Sequence, residues 1–167
     1  MKRITRMFRA ALLAPPDDRL LQRSFLAFVV SFAGAIASVL LGIGLLELAG
    51  IPSSEIDEPD LGAGWVAFVG GVLVAPAVET LLLAAMLALM PRRWSIPSRA
   101  LAAGVLWGVL HGLAAPFWFV GTWFPFFVFS CCWMTWRQRS FGHAFAAATL
   151  PHALQNLVAL SPLVLAG

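Results

Sequence analysis

Glu79, His111 and His152 are the residues whose types and spacing could do chemistry, and Asn156 stands one helical turn beyond His152. A carboxylate beside an imidazole can take a proton from water. A second imidazole and an amide, aligned at i and i+4, can donate hydrogen bonds to the oxyanion of a tetrahedral intermediate. No Ser or Cys is placed as a nucleophile, so water is the expected attacker. A rival stays open: Glu79, His111 and His152 as a Glu-His-His set around zinc. The chain has no HExxH pattern and Asn is a poor zinc ligand, which favours the reading without metal or other cofactor.

These four residues sit in stretches that are otherwise hydrocarbon. The chain has 167 residues, 60% of them apolar and 11% charged, with a mean hydropathy of +0.88. Eleven basic and eight acidic side chains cannot coat a soluble domain of this length. Residues 24–46, 100–136 and 140–167 carry no charge, and residues 61–91 carry only Glu79. At about 20 residues per crossing, these runs make one, two, one and one spans, in all about five. The two spans within 100–136 are expected to turn near "AAPFW", where Pro116 opposes a continuous helix. The expectation is an all-α, polytopic transmembrane bundle.

The charges orient that bundle. The basic residues fall at 2–23, at Arg92, Arg93 and Arg99, and at Arg137 and Arg139, which five spans put on one side. The loop "IPSSEIDEPDLG" is acidic and falls on the other. By the positive-inside rule the N-terminus is cytoplasmic and the C-terminus outside. Within the first fourteen residues Ile4, Met7, Phe8, Ala11 and Leu12 share one helical face, opposite Lys2, Arg3, Arg6 and Arg9. That pattern fits an interfacial helix on anionic lipid, or equally a basic flank without fixed structure. The expected organisation is a basic segment at 1–23, a first span with its acidic outer loop at 24–64, and a core at 65–167. The lipid bilayer accounts for the basic residues, and no nucleic-acid motif is present. An alanine-rich, arginine-biased composition points to a bacterial cytoplasmic membrane.

Ionisable residues inside spans are costly and by default indicate function. At about 1.5 Å per helical residue, Glu79 lies roughly 18 Å, His111 roughly 16 Å, His152 roughly 14 Å and Asn156 roughly 20 Å from the cytoplasmic end of its span. Three helices therefore bring polar groups to one level. Small residues lead towards them: Gly71 and Ala75 before Glu79, Gly104, Gly108 and Gly112 around His111, and Ala144 and Ala148 before His152. Such stripes let helices approach closely. Pro76 and Pro151, each within a turn of a site residue, are expected to free carbonyls there. His143 and Glu47 read as interfacial, and Cys131 and Cys132 as packing residues.

At these positions the chain resembles the CAAX prenyl protease and bacteriocin-processing (CPBP, ABI) family of intramembrane proteases. The resemblance rests on "APAVETLLLA" with Glu79, "WGVLH" with His111 and "HALQN" with His152 and Asn156, in the family's order, across residues 65–164. It implies an intramembrane endopeptidase in which Glu79 and His111 activate water and His152 and Asn156 hold the oxyanion. The substrate would be a peptide or a membrane protein. The chain departs from the family pattern at Thr80, where a second Glu is usual, at Ala84, where an Arg is usual, and at Trp107 in place of Phe. A catalytically degenerate relative, acting as a membrane binding or immunity protein, is the alternative. A small proton-coupled carrier is a third, disfavoured by the absence of an internal repeat.

Overall fold

The computed structural model describes residues 12–56 and 64–165. Five long helices follow one another: α1 (Leu20–Leu48), α2 (Gly64–Leu89), α3 (Ile96–Gly112), α4 (Trp118–Trp136) and α5 (Phe141–Leu160). A last turn, Pro162–Leu165, closes the described chain. No strand occurs among the described residues, and the protein is an all-α helical bundle. By length and composition α1, α2 and α4 are long and apolar enough to cross a membrane. The chain is accordingly a membrane protein. The expected interfacial helix falls mostly on residues 1–11, outside the described residues.

Local chemistry sets the helix ends. α2 stops at Met90, whose extended backbone (φ −74°, ψ 148°) suits the residue before Pro91. α3 opens with Ser95 accepting a hydrogen bond from the Ser98 amide at 3.3 Å. α5 opens with Ser140 accepting from the His143 amide at 3.1 Å. Both serines take up N–H groups that a helix start leaves unpaired. The turn between α3 and α4 falls at residues 113–117, around Pro116 as the sequence suggests. α3 nevertheless begins at Ile96 and ends at Gly112, so His111 lies in its last turn rather than midway along it.

The helices run up and down. Gly34 of α1 faces Phe124 of α4 while Gly42 faces Val120 and Phe117, which is an antiparallel pairing. Gly104, Gly108 and Gly112 of α3 likewise face Phe127, Trp123 and Phe119 of α4. A Cβ at Gly104 would stand 2.5 Å from the Trp123 carbonyl oxygen and 2.9 Å from the Phe127 nitrogen. No side chain fits between those backbones. Lipid tails are as apolar as leucine, so close packing of this kind, rather than exclusion of water, holds such helices together. The α3 glycines therefore serve the α3–α4 pair, and through it they bring α4 next to His111.

α4 is the central helix. From Val128 through Trp136 every residue is buried, Cys131 and Cys132 among them. A helix that is apolar all round belongs inside a bundle. α1 and α5 flank it, α3 lies along it, and α2 joins mainly through α5.

At the end where α4 meets α5, the segment before α1 is tied down. Arg23 is buried, although it stands among residues that read as a polar flank. Its guanidinium donates to the carbonyls of Pro15 (2.7 Å) and Ala14 (2.6 Å) and lies over the Trp136 ring at 5.0 Å. Arg139 donates to the Asp17 carbonyl at 2.6 Å and pairs with Asp18 at 2.9 Å. Thr135 donates to the Leu12 carbonyl at 3.0 Å. Arg99 of α3 caps the end of α2 by donating to the Leu87 carbonyl. The helix that includes Arg23 starts at Leu20, a turn before the charge-free run, because those carbonyls and that ring satisfy the charge.

Candidate active site

Glu79, on α2, is met from two sides. Nε2 of His111, from α3, lies 3.9 Å from its Oε2, and Nε2 of His152, from α5, lies 3.8 Å from the same oxygen. Neither distance is a direct hydrogen bond. Oε2 is buried and has no hydrogen-bond partner among the described residues. A buried carboxylate oxygen without a partner is costly and calls for an explanation.

The protons on His111 follow from its other nitrogen. Nδ1 lies 2.9 Å from the Trp107 carbonyl, one turn back on α3. A carbonyl only accepts, so Nδ1 carries the hydrogen, and in the neutral ring Nε2 presents a lone pair to Glu79. An imidazole lone pair and a carboxylate oxygen are two acceptors facing each other. A single water fits between them as the donor to both. Across the 3.9 Å between His111 Nε2 and Glu79 Oε2, a point about 2.8 Å from both atoms exists, the usual hydrogen-bond length. Such a water would lose a proton towards a base and keep its oxygen free to attack.

α4 supplies the wall. Phe126 lies 5.4 Å from the His111 ring, 5.2 Å from His152 and, stacked, 4.6 Å from Trp107. Phe129 stacks on His152 at 4.9 Å with an interplanar angle of 19°. Trp118 lies 5.7 Å from His111. These rings pack against both imidazoles that approach the carboxylate. The side chains of Glu79 and His111 keep 22% and 19% of their surface open, against 7% for His152. Glu79 and His111 are thus the more open members of the group, and His152 is the most enclosed.

Sequence reasoning missed the aromatic wall. Its signal was present in the run "WFPFFVF", which is denser in rings than span formation requires. It also missed the π turn in α2. Residues Gly70–Val74 form a turn of π-helix in which the Ala75 N–H bonds to the Gly70 carbonyl, five residues back. Single π turns inside α-helices recur at functional sites.

Asn156 is brought near the others with a different partner. Its Nδ2 donates to the Gly71 carbonyl of that π turn at 2.8 Å. Gln155, beside it, accepts from the Ser31 hydroxyl of α1 at 2.9 Å. Consecutive residues of α5 thus reach two different helices. Pro151 leaves α5 continuous from Phe141 to Leu160. Glu47 is exposed, and His143 lies at the start of α5, bonded to the Ser140 hydroxyl at 2.7 Å.

Among the described residues, no group of three or more His, Cys, Asp or Glu is arranged to hold a metal ion. Nε2 of each imidazole lies within 3.9 Å of the same carboxylate oxygen, as described above. A groove of about 390 Å³ between Pro97, Leu101 and Trp123 is apolar and lies away from these groups. No family model, no curated protein and no solved structure matches the chain.

Proposed function

We propose that the protein is an intramembrane endopeptidase of the CAAX protease-like type, hydrolysing a peptide bond with water activated by Glu79 and His111. The observation that carries this reading is the unpartnered Glu79 oxygen, with two imidazole nitrogens at 3.8 and 3.9 Å. Water held there gives up its proton to the carboxylate as its oxygen attacks the scissile carbonyl. The tetrahedral oxyanion is then met by His152, and Glu79 returns the proton to the leaving amine. The bond broken is the amide C–N, and the products are a carboxylate and an amine. The aromatic wall excludes bulk water, so each charge in the site is felt more strongly.

The substrate on this reading is a peptide or a membrane protein that reaches the site within a bacterial cytoplasmic membrane. The basic ends of the helices face the cytoplasm, where Arg23 and Arg139 gather, and the C-terminus lies outside. The resemblance of the three motifs to the CPBP family supports the same reaction.

One observation favours a second reading, a catalytically degenerate relative that binds a membrane partner or confers immunity. Thr80 is 2% exposed and Ala84 packs against the apolar core, so the family's second Glu and Arg have given way to packing. Incubating the purified protein with a pooled peptide and membrane-protein library separates the two. Under the protease reading, cleavage occurs and is lost in Glu79→Gln, His111→Ala and His152→Ala while each variant still inserts and folds. Cleavage abolished by a chelator would move the chemistry to zinc held by Glu79, His111 and His152. Absence of Glu79-dependent cleavage from folded protein would favour the binding reading.

A further inference from the structure

The bond between Asn156 and Gly71 has a cause in α2 itself. In an α-helix the Gly71 carbonyl would accept from the Ala75 N–H, but that N–H is bonded to Gly70. Continuing the π pattern, it would accept from residue 76, which is proline and has no N–H. Either way the Gly71 carbonyl is left without a backbone donor. The side-chain amide of Asn156 takes it at 2.8 Å. Leu160, one turn further along α5, fills the space over Gly71, where a Cβ would collide with its side chain. Gly71 is thus the point at which α5 grips the π turn.

The grip lies between two site residues. His152 is one turn before Asn156 on α5, and Glu79 is about two turns after Gly71 on α2. The Asn156–Gly71 bond and the Glu79–His152 approach are two rungs between the same antiparallel helices. Fixing the first sets the rotation and height of α2 at the second.

We propose that Asn156 is a positioning residue: by bonding the carbonyl that Pro76 orphans, it holds the π turn and so sets Glu79 against His111 and His152. The link to catalysis rests on the protease reading; the lock itself does not. This role differs from donation to an oxyanion, and one substitution tells them apart. Pro76→Ala restores an N–H. Whether α2 keeps its π turn or relaxes to a regular α-helix, Gly71 then has a backbone donor, and the Asn156 amide becomes dispensable.

The experiment uses wild type, Asn156→Ala, Pro76→Ala and the double variant, each purified in detergent. Thermal unfolding is measured on all four, and kcat and KM separately on those that cleave. With Pro76 in place, Asn156→Ala should lower Tm by several degrees and kcat by roughly tenfold at nearly constant KM, as expected for a small misplacement of a catalytic group. In the Pro76→Ala background the same change should leave Tm unaltered and kcat within about twofold. Should Asn156→Ala fail to fold, a folded double variant is the supporting result and an unfolded one overturns the proposal. Equal losses of Tm in both backgrounds overturn the lock. A Tm loss rescued by Pro76→Ala with a kcat loss that is not rescued overturns positioning and returns Asn156 to the oxyanion. If no variant shows Glu79-dependent cleavage, the protease reading falls while the Tm cycle still decides the lock.

Discussion

Among the described residues, two clusters of ionisable side chains are treated in opposite ways: one gathers around the buried Arg23 and the other around Glu79. At the end where α4 meets α5, Arg23 and Arg139 donate to three carbonyls and pair with Asp17 and Asp18, while Thr135 donates to the Leu12 carbonyl. Asp17 and Asp18 are each met by a guanidinium, and among the described residues only Arg23 Nε and the Ser24 hydroxyl there are left without a partner. Among α2, α3 and α5, Glu79 is approached by two imidazoles and bonded by neither. The first arrangement commits its donors and acceptors to the fold. The second keeps an acceptor in reserve within an apolar wall, at a cost that folding alone does not explain. The Arg23 cluster engages most of its donors and acceptors, whereas the Glu79 cluster leaves its central acceptor open, which is the basis of the proposed function.

The largest effect that could break this contrast is on activity. Glu79→Gln keeps the size of the side chain and removes the base, so hydrolysis should fall by about 10²–10⁴-fold, the usual contribution of general-base catalysis. Its Tm should be unchanged or higher, because a buried charge without a partner is gone. A variant that lost stability along with activity would place Glu79 with the structural cluster.

The matching change at the other cluster is Arg23→Ala. It strands the Pro15 and Ala14 carbonyls and should lower stability by about 1.5–3 kcal/mol, the range for hydrogen bonds to a charged group. Cleavage per folded molecule should not change. Denaturant unfolding and a specific-activity assay on one preparation check both halves. Reduced activity in the folded fraction would show that the two places are coupled.

Gly104→Ala probes the packing between them. The added methyl meets the backbone of α4, and overpacking of this kind costs about 1–3 kcal/mol. Because α4 carries Phe126, the same change should also disturb His111, giving reduced kcat at reduced Tm. The smallest effect sharpens the contrast from the other side. Trp107 is buried, and its indole N–H has no partner among the described residues. Trp107→Phe keeps a ring against Phe126 and removes the orphan donor, so stability should hold or rise slightly, by up to about 1 kcal/mol. A clear loss of stability would mean that the packing of the larger indole outweighs the orphan donor.

Much of this was legible in the sequence, for reasons that differ by residue. Charge-free runs separated by proline and basic residues announce helices in lipid, and Pro116 and Pro91 marked real ends. Glu79, His111 and His152 stood out because ionisable groups are rare in such runs, and counting along each helix brought them to one level. That count misjudged α3, which starts at Ile96 rather than Ala100 and carries His111 in its last turn. Arg23 read as a flanking charge because its partners, Pro15, Ala14 and the Trp136 ring, declare themselves only once the chain folds back. Pro76 suggested a freed carbonyl. The donor that takes it, Asn156, is 85 residues away along the chain, and the π turn depends on that meeting. Local propensity does not encode such an encounter.

The central claim is that the carboxylate left unpartnered between two imidazoles activates water. Its most direct test is the hydrolysis rate of one identified substrate by wild type and by Glu79→Gln, in preparations matched for Tm and run with and without chelator. The account predicts a rate at least about 10²-fold lower in the variant and no effect of chelator on either. Equal rates in two equally folded proteins would contradict it.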